Sequence, residues 1–449
     1  MPKSKTKFIC QSCGAAFSKW SGRCESCGQW NTLLEQIVEE ATAKSALSKG
    51  AVSGKKLTVA SINEIIPQDK ESRLKTSFSD LDEVLGGGIL SGSVSLLAGQ
   101  PGIGKSTLLM QLAGKIATTG EVLYVSGEES ASQIKLRAVR LGVKSENLHF
   151  ASSTSGNDIS ATIATGDYNF VIVDSIQTLA LDEISSAPGT VSQVSNCGNL
   201  IIRAAKKTNT AVIIVGHVTK DGTLAGPKAL EHLVDVVLNF EGDRYGGFKT
   251  IRAVKNRFGS TTEVAVFEMA EKGLKEVKNP SAALLAERQN TDGSIIMATM
   301  DGTRPILVEI QALVNPTNFG YPKRTASGFD LNRLNLLVAV LEKRTKLKLQ
   351  DKDIFINVVG GLKLQDAAAD LAVCMAIASA TAGKSLDDSL VVFGEIGLGG
   401  EIRSVSNADR RIAEAKKLGF ESALAPATIK NPFVTPISDL RSALIKYMK

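Results

Sequence analysis

The chain has 449 residues, of which 43% are hydrophobic and 22% are charged, and its formal net charge is +6. This composition excludes a mostly disordered chain and a small disulfide-stapled domain, and the length indicates about three domains. No uncharged apolar run reaches the roughly 18 residues that a membrane helix needs. The Lys-rich start has no apolar signal core, so we expect a cytoplasmic protein that contacts no membrane.

Four of the six cysteines form two Cys-x2-Cys pairs near the N-terminus, Cys10 with Cys13 and Cys24 with Cys27. Each pair fits a tight turn that points two thiolates at one metal ion, so the pattern predicts a tetrahedral, structural zinc site. A redox pair would need only one such motif. Four thiolates leave no open coordination position, so we do not expect this zinc to be catalytic. A ribbon this small should draw its folding free energy from the metal.

The same N-terminal segment contains both tryptophans of the chain, Trp20 and Trp30, together with Lys19 and Arg23. These side chains could stack on or contact a nucleic acid. Alternatively, the tryptophans pack the interior of the ribbon, and this is the interpretation that we prefer. The two remaining cysteines, at 197 and 374, stand alone in the sequence and are expected in the core.

Composition and patterning divide the chain into a zinc ribbon at 1–35, a polar linker at 36–60, an α/β domain at 61–278 and a C-terminal domain at 281–449. In the third segment, apolar strands alternate with helical patterns, which predicts a parallel sheet covered on both faces. The strands expected there are 94–98, 122–125, 170–173 and 212–215, and the helices are 105–118, 132–140 and 193–207. In the last segment we expect strands at 306–313, 354–359 and 390–393 and helices at 331–344, 367–382 and 408–418.

A phosphate-binding loop stands between the first of these strands and the first helix. The pattern GxxxxGK[ST] is matched from residue 99 to residue 106, in the strand–loop–helix context that it requires. We expect Lys105 to reach the β- and γ-phosphates of ATP and Ser106 to hold Mg²⁺. The residues expected to bind the nucleotide are Gly99, Gln100, Pro101, Gly102, Ile103, Gly104, Lys105, Ser106 and Thr107.

Carboxylates at the ends of two other strands complete the expected catalytic set. Asp174 ends the apolar strand 170–173, as a Walker B aspartate does, and should contact Mg²⁺ through water. Hydrolysis also needs a carboxylate that orients or deprotonates water, and Glu128 is our first choice, with Glu129 second. The alternative is that both acids only begin a helix. Gln177 follows Asp174 and His217 ends the next strand, and both could sense the γ-phosphate.

Three further segments could touch a partner. The loops 181–195 and 219–231 follow strand ends on the nucleotide side, where they could contact a DNA backbone or remain passive surface. In the run Lys-Asn-Arg-Phe-Gly at 255–259, Lys255 and Arg257 flank an asparagine. In an oligomeric ATPase this strand end could reach a neighbour's γ-phosphate as an arginine finger, or it could grip DNA. A solvated pair of charges is the third possibility.

The cysteine ribbon, the phosphate-binding loop and the 255–259 motif together resemble the bacterial RadA (Sms) family of DNA-repair proteins, over essentially the whole chain. The resemblance implies an α/β fold: a RecA-like P-loop ATPase core, an N-terminal zinc ribbon and a C-terminal α+β domain similar to the Lon protease domain. ATP, Mg²⁺ and one structural Zn²⁺ per chain would be the cofactors. Lys105, Ser106 and Asp174 would be the nucleotide residues, and Lys255 and Arg257 the cations that the motor needs.

The activity that this resemblance implies is a DNA-dependent ATPase of recombinational repair. It would form a hexameric ring, move along single-stranded DNA and drive branch migration of recombination intermediates beside the RecA recombinase. Branched DNA would also be a partner. Two other functions stay open, namely a RecA-fold ATPase that acts on protein partners and a nucleotide-gated mediator without motor activity.

The C-terminal domain lacks the Ser–Lys dyad of Lon proteases. Ala369 falls where the nucleophilic serine should be, and Asp409 falls where the lysine should be. Without a hydroxyl nucleophile or an activating amine there is no acyl transfer, which speaks against a peptidase. We therefore expect a scaffold that assists ring assembly. A basic run in it could contact DNA or form a solvated helix end: Lys343, Arg344, Lys346 and Lys348.

Overall fold

A computed structural model describes residues 5–10, 15–26, 28–30, 32–38, 73–217, 228–242, 248–317 and 320–448. The strands in it are β1 (Lys5–Cys10), β2 (Ala16–Phe17), β3 (Leu33–Val38), β4 (Arg73–Leu74), β5 (Ile89–Leu90), β6 (Val94–Gly99), β7 (Val122–Ser126), β8 (Leu148–Ser152), β9 (Phe170–Asp174), β10 (Ala211–His217), β11 (Val236–Gly242), β12 (Lys249–Asn256), β13 (Val264–Ala270), β14 (Gly273–Glu276), β15 (Ser294–Asp301), β16 (Arg304–Pro316), β17 (Arg324–Ser327), β18 (Lys352–Val358), β19 (Leu390–Val392), β20 (Glu395–Ile396), β21 (Ile402–Arg403), β22 (Ser422–Pro426) and β23 (Val434–Ile437).

The helices are α1 (Ser79–Val84), α2 (Lys105–Ile116), α3 (Ala131–Arg140), α4 (Gly156–Ile163), α5 (Val191–Thr208), α6 (Lys228–Leu233), α7 (Pro280–Leu285), α8 (Leu331–Thr345), α9 (Ala369–Ala382), α10 (Ala408–Lys417) and α11 (Leu440–Met448), with a short 3-10 helix at Ile176–Thr178. The chain separates into two compact units. One comprises residues 1–241, 251–261 and 271–274, and the other comprises 242–250, 262–270 and 275–449. None of the described helices is long and apolar enough to cross a membrane.

A nine-stranded sheet carries the phosphate-binding loop, in the order β14-β13-β12-β11-β6-β10-β9-β7-β8. The strands from β11 to β8 in that order pair in parallel. Every residue of β6, β7 and β9 is buried, because helices cover both faces of the sheet. The four strands and three helices expected in this part of the sequence are all present, with ends within two residues of the expected ones.

The N-terminal ribbon is a three-stranded antiparallel sheet in the order β2-β1-β3. Strand β3 runs to Val38, three residues beyond the boundary at residue 35 that the composition indicates. The strand continues because residues 36–38 pair with residues 5–7 of β1. Within β3, the backbone oxygen of Glu35 accepts hydrogen bonds from Ser192 Oγ at 2.6 Å and Asn196 Nδ2 at 3.0 Å. Ser185 Oγ also donates to the Glu35 carboxylate at 3.3 Å. The last strand of the ribbon is therefore fixed to α5 and to the segment before it.

The expectation that the tryptophans pack the ribbon is wrong. Trp20 is 60% exposed and Trp30 is 69% exposed. Smaller side chains fill the interior of the ribbon instead and leave no need for an indole ring: Phe8, Cys10, Phe17, Cys24 and Leu33.

A seven-stranded sheet organises the second unit, in the order β17-β18-β16-β15-β19-β22-β23. Helix α9 is buried along its length from Ala369 to Ser379, as expected for a helix that is apolar all round. The three strands and three helices expected here are present, with ends within three residues. Cys374 in α9 and Cys197 in α5 are fully buried, which confirms that the two lone cysteines are core residues.

A buried arginine fixes α10 within the second unit. The Arg411 side chain has no exposed surface, and its Nη1 lies 2.7 Å from the Asp366 carboxylate. The same nitrogen donates to the Ala298 backbone oxygen, and Nε donates to the Ser406 backbone oxygen at 3.1 Å. These contacts join α10 to β15 and to the segment that leads into α9.

We expect Arg411→Ala to destabilise the second unit by about 3 kcal/mol, because it leaves Asp366 without its ion-pair partner in a largely buried site. The loss should appear as reduced protection of the α9 amides against hydrogen exchange. Arg410→Ala is the matched control, since Arg410 is exposed and donates to the Thr303 backbone oxygen rather than to a buried carboxylate. An equal loss of protection in both variants would contradict this assignment.

Candidate nucleotide site

The phosphate-binding loop joins the end of β6 to the start of α2. Gly104 precedes the helix with φ of +119°, a conformation that residues with a side chain rarely adopt. Lys105 is the first residue of α2, so the loop presents its backbone N–H groups at a helix N-terminus, where phosphate binds favourably. Pro101 and Gly102 are exposed at the tip of the loop. The geometry therefore fits the nucleotide that the sequence predicts at residues 99–107.

Lys105 is almost completely buried within this loop. Its Nζ donates to the backbone oxygens of Gly99 at 2.8 Å and Gln100 at 3.1 Å, and lies 3.2 Å from His217 Nδ1. Burial lowers the pKa of Lys105 to about 8, although the charges of Asp174 and Glu128 oppose the shift. The loop carbonyls thus hold the amine at the phosphate-binding position.

Two hydroxyl groups donate hydrogen bonds to the carboxylate of Asp174 at the end of β9. Ser106 Oγ donates to Asp174 Oδ2 at 2.8 Å, and Tyr124 Oη donates to the same oxygen at 2.7 Å. Burial raises the pKa of Tyr124 well above its ordinary value, and the Asp174 charge adds to this, so the phenol remains a donor. The serine hydroxyl and the carboxylate are hard oxygen ligands that suit Mg²⁺.

Tyr124 is a site residue that the sequence reasoning missed. It is 1% exposed and lies in the middle of the fully buried strand β7. A buried tyrosine usually needs a hydrogen-bond acceptor for its hydroxyl, so a tyrosine in an apolar strand could have indicated a buried polar contact here. The acceptor could not be named from the sequence, because it lies on the neighbouring strand β9.

The two acids after β7 have different surroundings. Glu128 Oε1 accepts a hydrogen bond from Ser175 Oγ at 2.6 Å and lies 3.2 Å from His217 Nε2. Burial raises the pKa of Glu128, but hydrogen bonds from Ser175 and His217 and the charge of Lys105 outweigh it, so the net pKa is lowered. Glu129 instead forms a two-pronged ion pair with Arg137 of α3. Glu128, not Glu129, therefore faces the lysine of the phosphate-binding loop.

The loop at 181–195 is folded around one buried side chain. Gln193 is 1% exposed, and its Nε2 donates to the backbone oxygens of Leu181, Ile184 and Ser186 at 2.9–3.3 Å. Gln177 lies in the short 3-10 helix after β9. The second expected loop, 219–231, falls mostly on residues 218–227, which lie outside the described residues.

The motif at 255–259 contacts its own chain away from the phosphate-binding loop. Lys255 Nζ donates to the backbone oxygens of Glu231 at 2.8 Å, His232 at 3.2 Å and Val234 at 2.8 Å, and so caps the end of α6. Burial lowers the pKa of Lys255, and the nearby Arg257 charge lowers it further. The structure thus brings the phosphate-loop residues, Glu128 and Asp174 together and places Lys255 elsewhere.

Arg257 lies beside the buried carboxylate of Asp235. Its Nη1 is 3.3 Å from Asp235 Oδ1, and the side chain is 56% exposed. Asp235 also pairs with Lys206 of α5 and accepts a hydrogen bond from the Val94 backbone nitrogen at 3.0 Å. Val94 begins β6, so the motif is joined to the strand that carries the phosphate-binding loop.

The zinc-ligand prediction can be followed at two of its four positions. Cys10 and Cys24 are both 1% exposed in the interior of the ribbon. Gly28 has φ of +74° and its backbone nitrogen donates to the Cys24 backbone oxygen at 2.8 Å, which forms the tight turn that a Cys-x2-Cys knuckle needs. Buried thiols on such a turn fit zinc chemistry. Cys13 and Cys27 lie outside the described residues.

In the second unit, the positions of the protease dyad hold groups without that chemistry. Ala369 is fully buried at the start of α9, and Asp409 is exposed in α10. The four basic residues in the last turn of α8 and just after it, from Lys343 to Lys348, are all exposed. Their exposure fits both a DNA contact and a solvated helix end.

The arrangement of the large sheet defines a class of protein. The strand that ends in Asp174 is separated from the strand of the phosphate-binding loop by one strand, β10, and all three run in parallel. This is the arrangement of a P-loop ATPase with a RecA-like core, here with an N-terminal metal-binding ribbon and a C-terminal domain of the Lon-like kind.

Three family models match the chain. They are an AAA domain over residues 64–223, a rubredoxin metal binding domain over residues 8–35 and subunit ChlI of Mg-chelatase over residues 335–429. A crystal structure of the RadB recombinase is 22% identical with a TM-score of 0.37 and covers 46% of this chain and 100% of that chain.

Relatives of known name are similar along nearly the whole length. The chain is 49% identical to the DNA repair protein RadA of Bacillus subtilis, over 97% of this chain and 95% of that protein. It is 49% identical to the DNA repair protein RadA of Halalkalibacterium halodurans over 95% and 93%, and 43% identical to that of Aquifex aeolicus over 99% of each. The chain therefore belongs to the RadA family of DNA repair proteins, which confirms the resemblance inferred from its motifs.

We expect Glu128→Gln to lower the rate of ATP hydrolysis by about 10²–10⁴-fold while ATP binding is retained, because a positioned general base contributes that much. Single-turnover hydrolysis of prebound ATP measures the effect. Glu129→Gln is the matched control and should lower the rate less than about tenfold, because Glu129 is directed to Arg137. The assignment fails if Glu129→Gln abolishes hydrolysis and Glu128→Gln does not.

We expect Lys255→Met to loosen the end of α6, because three backbone oxygens lose their common donor. Amide hydrogen exchange at residues 230–235 should rise about tenfold, which corresponds to the loss of one net hydrogen bond to a charged group. Arg257→Met, which removes only the half-exposed partner of Asp235, should leave this exchange nearly unchanged. Equal effects of the two variants would show that the cap does not hold α6.

Proposed function

We propose that the protein is a DNA-dependent ATPase that moves along single-stranded DNA and drives branch migration of recombination intermediates together with the RecA recombinase. The observation that carries this proposal is the network at the strand ends, in which His217 lies between Lys105 and Glu128. Membership of a DNA repair family supports DNA as the substrate that the hydrolysis serves. We further propose that it acts in the cytoplasm as a hexameric ring.

The chain's own residues would divide the work of hydrolysis among them. The backbone of residues 99–107 and the Lys105 amine would bind the phosphates of ATP, and Glu128 would orient the attacking water. Ser106 and Asp174 would hold Mg²⁺, which neutralises phosphate charge when it is bound. His217 contacts both Lys105 and Glu128. Its position would therefore change with the presence of the γ-phosphate, and this change would be passed to the loop that follows β10.

The 255–259 motif would act between subunits of the ring. Arg257 is half-exposed and pairs with Asp235, and it would reach a neighbouring subunit's γ-phosphate. Lys255 would keep the end of α6 in place beneath it. Both cations would then couple hydrolysis to movement without binding the nucleotide of their own chain.

The outlying parts of the chain would support this motor. Cys10, Cys13, Cys24 and Cys27 would hold one structural zinc, for which the ribbon match over residues 8–35 is the support. We place the ribbon at 1–35 with the rest of β3 to Val38, the linker from there to residue 60, the ATPase domain at 61–278 and the Lon-like domain at 281–449. The last would be a scaffold for ring assembly, because its dyad positions hold Ala369 and Asp409.

Steady-state ATP hydrolysis with and without single-stranded DNA, at one fixed salt concentration, tests the proposal, since DNA affinity depends steeply on salt. We expect stimulation of several-fold, and we expect Lys105→Ala to abolish turnover with the fold retained. Robust turnover that does not respond to DNA would favour an ATPase that acts on proteins. Absence of turnover in both conditions would favour a nucleotide-gated mediator.

A further inference from the structure

Two large apolar side chains described in the ribbon, Trp20 and Trp30, are mostly exposed, and both lie close to Gly22. A Cβ atom placed on Gly22 would be 3.8 Å from Trp20 Cη2 and 3.8 Å from Trp30 Cζ3. Both rings therefore border the same small gap on the surface. With 60% and 69% of their surface exposed, they are not held there by the ribbon's own core.

A cation lies over one of the two rings, and the exposed charges described in the ribbon are mostly positive. Arg23 lies over the Trp30 ring, with its Cζ 5.9 Å from the ring centroid, and its Nε donates to the Gly28 backbone oxygen at 2.9 Å. Exposed charged side chains described in the ribbon are three cations and one anion: Lys7, Lys19, Arg23 and Glu25. Aromatic faces flanked by cations suit a ligand that carries both flat rings and negative charge.

A protein partner would fit this surface less well than a nucleic acid. Aromatic hot spots at protein interfaces lie in well-packed patches ringed by other contacts that exclude water. The chain neighbours of the two tryptophans are instead small or polar: Ser18, Lys19, Ser21, Gly22, Arg23 and Gln29. Unpaired bases need only a flat aromatic face and nearby positive charge.

The rings are also connected to a segment that we expect at the DNA. Trp30 lies just before β3, and β3 is fixed by Glu35 to Ser192 and Asn196 of α5. Ser185, in the loop at 181–195, contacts the same glutamate. The ribbon is therefore anchored on one of the two loops that the sequence associates with DNA.

We propose that Trp20 and Trp30 form a stacking platform for the unpaired bases of single-stranded DNA, with Lys19 and Arg23 at the phosphates. This inference rests on the proposed function and adds a second DNA contact to it, outside the ATPase loops. The platform is selective for single strands, because the bases of a duplex are stacked on one another and cannot reach the indole rings. It is independent of base identity, because every base has a flat face.

Intrinsic tryptophan fluorescence tests the platform directly, since the chain has no tryptophan other than these two. The zinc-loaded, full-length protein is titrated with oligothymidylate, with its duplex with oligoadenylate, and with an abasic oligomer of the same length. We expect strong quenching by the single strand, with the same midpoint as the anisotropy of labelled oligothymidylate. The duplex and the abasic oligomer should quench weakly.

Substitutions then separate stacking from structure. Trp20→Leu and Trp30→Leu should each weaken oligothymidylate binding by about fivefold or more, the lower limit for loss of one base–aromatic stack. Trp20→Phe and Trp30→Phe, which keep a flat ring, should restore most of the affinity. The zinc content of every variant is measured alongside, and the Phe variants provide the test if a Leu variant loses its metal.

The outcomes distinguish this inference from the function on which it rests. If oligothymidylate binds with full affinity to the double Leu variant and leaves the wild-type emission unchanged, the platform is wrong and the DNA-dependent ATPase stands. If the abasic oligomer quenches as strongly as oligothymidylate, the contact is electrostatic and the stacking proposal fails. If no DNA binds by anisotropy with or without ATP, the proposed function itself fails.

Discussion

One carboxylate at the carboxyl edge of the large sheet ties together the elements on which the site depends. Asp174 accepts hydroxyl hydrogen bonds from Ser106 at the start of α2 and from Tyr124 within β7. One helix and two adjacent strands of the sheet are thereby held at a single oxygen atom. Because this oxygen would also serve the metal, the groups that fix it determine where the phosphates of ATP can lie.

A second constraint is the burial of the positively charged Lys105 near Asp174. A buried ammonium group is costly unless it finds acceptors, and Lys105 finds them in the loop carbonyls of Gly99 and Gln100. Burial still lowers its pKa to about 8. The loop carbonyls compensate the buried ammonium charge only in part, and bound phosphate oxygens would supply the missing negative charge. The same need for compensating groups accounts for the position of His217 at the end of β10, which contacts this lysine, and of Glu128 after β7, whose charge acts on it.

The remote parts of the first unit are joined to this centre by a few polar contacts. Asp235 links Arg257 of the Lys-Asn-Arg-Phe-Gly motif to the first residue of β6, which leads to the phosphate-binding loop. Glu35 links the ribbon to α5 and to the loop before it. Each link connects a surface that we assign to a partner with a helix, strand or loop of the unit that carries the nucleotide site.

The sequence by itself determined the class of the molecule, because its decisive signals are local. The phosphate-binding loop is recognisable from the eight adjacent residues at 99–106, and strands such as β9 are recognisable as continuous apolar runs that must be covered on both faces. Only the tertiary structure decided which of Glu128 and Glu129 faces Lys105 and that the Tyr124 hydroxyl donates to Asp174. It also decided that Trp20 and Trp30 are exposed on the surface of the ribbon instead of packing its interior. Each of these facts depends on which side chain of another segment lies next to the residue in the folded protein. Contacts between segments that are separated in the sequence cannot be recognised from the local sequence pattern.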